Sequence, residues 1–341
     1  MKAAWYEGCG GPEIIRVGDR PDPAPGPGEA LVAVRACGLN HLDVWVRRGK
    51  SFPRPIIPGS DIVGTIAACG PGVGDFAPGD EVVCFPVYAA GYSFDGLGEY
   101  RVLAPGFGML GSHRDGGCAE LAAVPAECLI KKPAALAWQD AACLPIAFTT
   151  AWHMLFARAA LQPGETILIQ SAGSGVSHAA IQFARQAGAT VIATSGTAAK
   201  LLRARELGAD QAINYREEDV AARVREITDG RGVDVVFDHT GAATWEANMA
   251  SLARGGRLVT CGVTAGGEVK LDLGKLFYQA QSILGSTMGT RKECARVCEL
   301  VAAGRVRPVI DGVFPLDQLR AAHERLTAPD RFGKVVIQVT P

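Results

Sequence analysis

The sequence predicts an α/β chain with a turn-rich β-barrel-like domain followed by a doubly wound parallel sheet, and three observations carry this. Up to about residue 125, short β-rich runs (EALVAVRA, DIVGTIAA, GDEVVCF, CAELAAVP) alternate with Pro/Gly punctuation such as PDPAPGPGE and GPGVGDFAPGD. That is the pattern of a barrel with many turns. From Thr166 strand and helix patterns alternate, as TILIQ, HAAIQFARQAG, TVIATS and TAAKLLRARELG, and this spacing means parallel strands with right-handed crossovers. The segment from residue 290 carries a helix-like ECARVCELVAAG and an extended GKVVIQV. The expected domains are therefore 1–125, rejoined by 290–341, and 126–289.

Composition supports two cores. The chain has 341 residues, 48% of them apolar, with 34 basic and 35 acidic side chains, enough apolar material for two domains of ordinary size. A net charge of -1 and the absence of any long Lys/Arg run argue against a nucleic-acid partner. The start, MKAAWYEGCG, lacks the apolar core of a signal peptide. The most apolar run, AACLPIAFTTAWHMLFA from Ala141, is interrupted by Pro145 and His153, so it reads as a buried helix at a domain junction and not as a membrane span. Ten cysteines at 9, 37, 69, 84, 118, 128, 143, 261, 294 and 298 form no CxxC, which fits buried thiols in a reducing cytoplasm.

Between strand TILIQ and helix HAAIQFARQAG lies SAGSGVS. Gly173, Ser174, Gly175 and Val176 stand where a dinucleotide-binding turn brings small residues and backbone N–H groups against a pyrophosphate at a helix N-terminus. Ser177 takes the place of the third glycine of such turns. Thr240, Gly262 and Val263, at the ends of VDVVFDHTG and GGRLVTCG, complete the candidate cofactor set. After TVIATS a carboxylate would select NAD by binding the adenosine ribose. The chain instead reads ATSGTAAK, offering Ser195, Gly196, Thr197 and Lys200, with Tyr215 of INYREED beside them. Hydroxyls, open backbone and a cation suit a 2′-phosphate, so the expected cofactor is NADPH.

Taken with the domain order, PGSDIVGTIAACGPGV, FAPGDEVV, LPIAFTTAWHML, SAGSGVS, GADQAINYREED and FGKVVIQV make the chain resemble the medium-chain dehydrogenase/reductase superfamily. The resemblance implies a GroES-like catalytic domain, a Rossmann domain and a cofactor cleft between them. GLNHLDVWVRRG, and SGTAAK with INYREED, look most like the zinc-free quinone oxidoreductases related to zeta-crystallin, while other stretches look more like bacterial alcohol-dehydrogenase-like members. Where zinc enzymes of the superfamily place their catalytic ligands, this chain has Asn40, then Gly59, Ser60 and Asp61, then Ile146. An Asn/Ser/Ile set is a poor match for zinc, so no metal is expected. Asp61 can pair with His41 on a metal or hydrogen-bond within the cleft wall. The long loop CFPVYAAGYSFDGLGEYRVLAP matches a lobe that holds a structural zinc in relatives, with Ala90, Ser93, Gly96 and Ala104 in place of thiolates. Tyr88, Tyr92, Phe94 and Tyr100 are expected to hold it by aromatic packing.

Loss of a Lewis acid removes alcohol oxidation and leaves hydride transfer to an electrophile, a quinone or an α,β-unsaturated carbonyl. In that resemblance Asn40 contacts the oxyanion or the carboxamide and Asp43 lines the nicotinamide cleft. His41 either approaches the pyrophosphate, donates a proton or is simply solvated. Thr150 either touches the nicotinamide or caps a helix. A tyrosine proton donor used by some enoyl-reducing relatives has no counterpart in GKSFP, which offers Ser51 and Phe52. The alternatives are an alcohol or aldehyde dehydrogenase, or a non-catalytic, crystallin-like NADPH-binding protein. GGRLVTCG and SILGSTMG are expected to join two copies edge to edge as a homodimer, and the partner is a small electrophilic molecule.

Overall fold

The computed structural model describes residues 1–49, 52–89 and 100–340. The chain forms two compact units, Met1–Thr149 with Thr290–Pro341, and Thr150–Gly289. Residues 126–149 thus belong to the first unit, which corrects the expected start of the second at 126. Pairing is the reason, because Leu129–Lys131 adds a strand to the first unit's sheet. The apolar run from Ala141 also departs from a regular helix, with π-helical turns at Leu144–Phe148 and His153–Arg158.

In the first unit β1 (Glu29–Leu39) pairs antiparallel with β2 (Asp61–Cys69) and with β4 (Leu121–Pro125). β3 (Glu81–Cys84) joins β2 to β5 (Leu129–Lys131). β1 first alternates, burying Ala30, Val32, Val34 and Ala36, the period of a strand with one face on a core. Its last four residues are all buried. There Gly38 is required, since a Cβ would stand 1.9 Å from the carbonyl oxygen of Ala142. α1 (His41–Arg47) follows directly, with Asn40 as its N-cap.

The second unit is built on six parallel strands: β6 (Thr166–Ile169), β7 (Thr190–Ser195), β8 (Gln211–Asn214), β9 (Val233–Asp238), β10 (Leu252–Thr260) and β11 (Ser282–Gly285). Their order is β8-β7-β6-β9-β10-β11, so the winding reverses between β6 and β9. The crossovers carry α2 (Ser177–Gln186), α3 (Ala198–Glu206), α4 (Val220–Ile227), α5 (Trp245–Ser251) and α6 (Leu273–Tyr278). Leu168, Ile192, Ile213, Val236 and Leu258 form the core of the sheet.

The chain then returns to the first unit through α7 (Arg291–Ala302), β12 (Ile310–Pro315), α8 (Leu319–Thr327) and β13 (Lys334–Gln338). β13 lies antiparallel to β1 and parallel to β12, giving the order β12-β13-β1-β2-β3-β5 with β4 also on β1. Cys37, Leu39, Val44, Leu319, Ala322, Val335 and Ile337 share one core, so both ends of the sequence build it. Among the described residues no helix is long and apolar enough to cross a membrane.

That core encloses His323 of α8, fully buried with Nε2 3.4 Å from the Tyr6 hydroxyl. Burial, with a smaller push from Arg47, lowers the imidazole to about 3. The unfolded chain takes up this proton below its ordinary range near 6.5 while the folded chain does not, so stability falls as pH drops through that window, by roughly 1.4 kcal/mol per pH unit. Asp43, raised to about 6, acts oppositely, so the measurement must be differential. Urea midpoints of the wild type relative to His323→Gln are expected to decline from pH 6.5 toward 4 at about that slope. A difference independent of pH would contradict the assignment.

Candidate active site

The Gly-rich turn lies between β6 and α2. Ser171 opens it at a φ of 54°, and its carbonyl accepts the Ser174 N–H at 2.9 Å. The Ser174 hydroxyl accepts the Ser177 N–H, also at 2.9 Å. Ser177 is fully buried and its hydroxyl donates to the Gln170 carbonyl at 2.7 Å, so serine replaces the third glycine without an unpaired polar group. Gly173, Ser174, Gly175 and Val176 thus precede the helix N-terminus. Ser171 Oγ lies 3.4 Å from Thr240 Oγ1, and Gly262 packs on His239 while Val263 packs on Gly241. The structure therefore gathers these candidate cofactor residues at the carboxyl ends of β6, β9 and β10.

A second cluster forms at the end of β7. Ser195 accepts the Tyr215 N–H on its carbonyl at 3.1 Å. Thr197 caps α3, accepting the Lys200 N–H at 3.4 Å. The Tyr215 hydroxyl and Arg216 Nε lie over the Gly196 backbone, 2.8 and 2.9 Å from where a Cβ would stand. Arg216 is a cation that the sequence reading passed over, although it follows Tyr215 directly in INYREED. Lys200 sits in the first turn of α3, which holds no acid.

In the first unit Asn40, Asp61 and Lys334 form a buried cluster. Lys334 Nζ donates to Asn40 Oδ1 at 2.6 Å, to Asp61 Oδ2 at 2.9 Å and to the Leu39 carbonyl at 2.8 Å. Asn40 Nδ2 donates to Asp61 Oδ2 at 2.9 Å, and the Ile146 N–H donates to Asp61 Oδ1 at 2.8 Å. The charged neighbours thereby fix which way the amide faces. Ser60 is turned away, its hydroxyl donating to the Leu110 carbonyl at 2.6 Å.

Asp43 requires a correction. Expected to line a nicotinamide cleft, it is 0% exposed, and its oxygens accept the backbone N–H groups of Asn40 at 2.7 Å and Gly59 at 3.0 Å. Burial pushes its carboxyl up to about 6 against those two hydrogen bonds. Its place is structural, holding the first turn of α1 to the loop before β2. His41 stands at the surface end of α1, its ring edge-on to Trp45 at 5.2 Å. Partial desolvation, then Arg331 and Arg48, hold its pKa below the ordinary range. Thr150 lies within a helical turn and is buried, its hydroxyl 3.8 Å from the Met288 sulfur, so it does not cap a helix.

Family models match both units. A model described as an alcohol dehydrogenase GroES-like domain covers residues 26–134, and one described as zinc-binding dehydrogenase covers 175–303. A zinc-type alcohol dehydrogenase-like protein of Schizosaccharomyces pombe is 34% identical over 325 residues, 92% of this chain and 91% of that one. The quinone oxidoreductase of Pseudomonas aeruginosa is 32% identical over 348 residues, 98% of this chain and 99% of its own. The chain belongs to the medium-chain dehydrogenase/reductase superfamily. Among solved structures, an NAD-dependent alcohol dehydrogenase matches with a TM-score of 0.95 at 42% identity over 100% of both chains. A crotonyl-CoA carboxylase/reductase in complex with NADP matches with a TM-score of 0.93 at 25% identity over 99% of this chain and 94% of that one. The superfamily's fold and its oxidoreductase chemistry, with a nicotinamide cofactor, follow.

The superfamily's catalytic zinc does not fit the residues present. An amide, a hydroxyl turned elsewhere and an aliphatic side chain are weak donors for it, and the Lys334 ammonium among them repels a dication. Among the described residues no three His, Cys, Asp or Glu side chains are grouped to hold a metal. Of the second zinc lobe, Ala90, Tyr92, Ser93, Phe94 and Gly96 lie outside the described residues, as do Lys50 and Ser51. Ala104 is buried, and Tyr88 packs beneath Arg114 at 5.7 Å and against Gly108.

Breaking the buried pair should be costly. Lys334→Met removes the buried ammonium that pairs with Asp61 and leaves it only the Asn40 amide and the Ile146 N–H, a change of about 3–5 kcal/mol. Urea unfolding should show that loss, and Lys334→Met combined with Asp61→Asn should lose less than the sum of the single variants. Strict additivity would show that the two groups are not coupled.

Proposed function

We propose that this superfamily member is an NADPH-dependent reductase that works without zinc on a quinone or an α,β-unsaturated carbonyl. The observation that carries the reading is Asn40, aligned with a zinc ligand of relatives, tied instead to the Asp61 carboxylate and the Lys334 ammonium. When bound, the nicotinamide supplies the hydride, which goes to the β-carbon of the enone or to the quinone. The chain's residues orient the acceptor, exclude water and stabilise the negative oxygen that develops. Asn40 is the group for that oxygen, with one Nδ2 hydrogen held by Asp61 and the other available to a ligand. Solvent supplies the proton that completes the reduction.

Preference for NADPH rests on Ser195, Thr197, Lys200, Tyr215 and Arg216 where an acid would select NAD. A homodimer is part of the same reading. β11 is an edge strand, and the helix before it exposes Leu273, Phe277 and Tyr278 at 66%, 77% and 66%, surface that a second copy can cover. All ten cysteines are free, in keeping with a reducing cytoplasm. A second reading, an alcohol or aldehyde dehydrogenase, is favoured by the 42% identity to a structure of that class.

The two readings separate on metal and substrate. Protein purified without chelator should carry no stoichiometric zinc and should consume NADPH with simple quinones and enones; stoichiometric zinc with alcohol oxidation would establish the second reading. NADPH should bind more tightly than NADH, and Lys200→Ala or Arg216→Ala should weaken NADPH alone. Loss of a charge-assisted contact of about 1.5–3 kcal/mol corresponds to roughly a ten- to hundredfold change in Kd. Equal affinities for the two cofactors in the wild type would remove the basis for the preference.

A further inference from the structure

Three buried side chains of the first unit close a ring of hydrogen bonds. Lys334 Nζ donates to Asn40 Oδ1 at 2.6 Å and to Asp61 Oδ2 at 2.9 Å, and the same Oδ2 accepts from Asn40 Nδ2 at 2.9 Å. Because the ammonium touches both the amide oxygen and the carboxylate that holds the amide nitrogen, the ring closes along the edge where those two amide atoms stand side by side. The Nδ2 hydrogen in use is therefore the one beside Oδ1, and its twin points away from the ion pair. Among the described residues nothing accepts that second hydrogen. Nor can the amide turn over, since a flip would set Nδ2 against the ammonium and Oδ1 against the carboxylate.

The three members differ in what they offer a ligand. Lys334 is 2% exposed, and its remaining hydrogen goes to the Leu39 carbonyl at 2.8 Å, so its donors are spent. Asp61 is 0% exposed and has only acceptors, with Oδ1 already taken by the Ile146 N–H. Asn40 keeps 8% exposure and one uncommitted donor. Its backbone is fixed as well, the N–H held by the Asp43 carboxylate at 2.7 Å. A donor anchored in this way suits an oxygen that turns negative during reaction, because nothing has to reorient when the charge appears. We propose that Lys334 is a positioning residue for the reaction, locking the Asn40 amide so that its outward hydrogen meets the oxygen of the hydride acceptor. The assignment rests on the reductase reading above and adds to it the group that aims Asn40.

Steady-state kinetics of the full chain with NADPH and benzoquinone test this. Lys334→Met should lower kcat about ten- to hundredfold and leave the KM for NADPH near its wild-type value, since a donor left loose loses less than the roughly hundred- to thousandfold of a donor removed. Asn40→Ala should lower kcat at least as far. Lys334→Met should then cost less in the Asn40→Ala background than in the wild type, because no amide remains to be aimed. Losses that multiply independently would show Lys334 acting through the fold alone, and an unchanged kcat in Lys334→Met would equally overturn the assignment. If Lys334→Met does not fold, NMR of the wild-type Asn40 side chain decides. A nitrophenolate, added with NADP+ to mimic the anionic product, should move the amide hydrogen trans to Oδ1 and leave the one on Asp61 in place; any other pattern would overturn the assignment. A wild type that consumes no NADPH with quinones or enones would instead reject the reductase reading itself, and this assignment with it.

Discussion

The first unit depends on one buried ion pair, Lys334 with Asp61, whose partners are 273 positions apart in sequence. Taking two charges out of water is expensive, and their attraction repays it only when the remaining donors and acceptors are also satisfied. Here the ammonium has three acceptors and the carboxylate three donors. The arrangement requires β13 to lie beside β1 and requires the chain after Asp61 to enter β2 in register. It also settles Asn40, whose amide can satisfy an ammonium on one side and a carboxylate on the other in only one orientation. Asp43 then takes over the backbone N–H of the same residue, so the start of α1 is held by two carboxylates with separate tasks.

In the second unit a chain of side-chain hydrogen bonds ties the strand ends together. Thr194 donates to Gln170, Gln170 to Asn248, Asn248 to Thr244 and Thr244 to Asp238, over 2.6, 2.7, 3.2 and 2.9 Å. This chain of side chains links the ends of β6, β7 and β9. Each member lends its neighbour polarity, and a fully satisfied network of this kind fixes one arrangement of the loops it joins. The Gly-rich turn is therefore supported from below by a side-chain network that ends on the buried Asp238 carboxylate, which the Thr244 hydroxyl and the Gly241 N–H satisfy.

Much of this was legible in the sequence because it is local. Period-2 runs located β1 to β4, and alternating strand and helix patterns located the six parallel strands, since each signal lies within a dozen residues or fewer. β5 was missed because three residues are too short to show a period, and the domain boundary moved with it. Asp43 was placed on a cleft wall by resemblance to zinc-free relatives, whereas here it holds the backbone N–H groups of Asn40 and Gly59. The Asn40-x-x-Asp43 spacing, a helix-start signature, was the available correction. Lys334 was quoted within FGKVVIQV but could not be assigned a role, because its partners lie near the other end of the chain. Arg216 sits beside Tyr215, which drew attention, and only the fold brings its guanidinium against Gly196.

The same side chain serves opposite purposes in the two units, and the surroundings decide which. Lys334 is almost wholly buried and its charge is spent internally on Asp61 and Asn40. Lys200 stands in the first turn of α3, where the helix macrodipole is positive and a cation is disfavoured by some tenths of a kcal/mol up to about 1 kcal/mol. The turn itself holds no acid, and Arg216 brings a second cation, its Nε 2.9 Å from the Cβ position of Gly196. Two cations and a helix N-terminus thus stand together after β7. Such a surface is complementary to an anion, which is the physical ground of the 2′-phosphate preference proposed above.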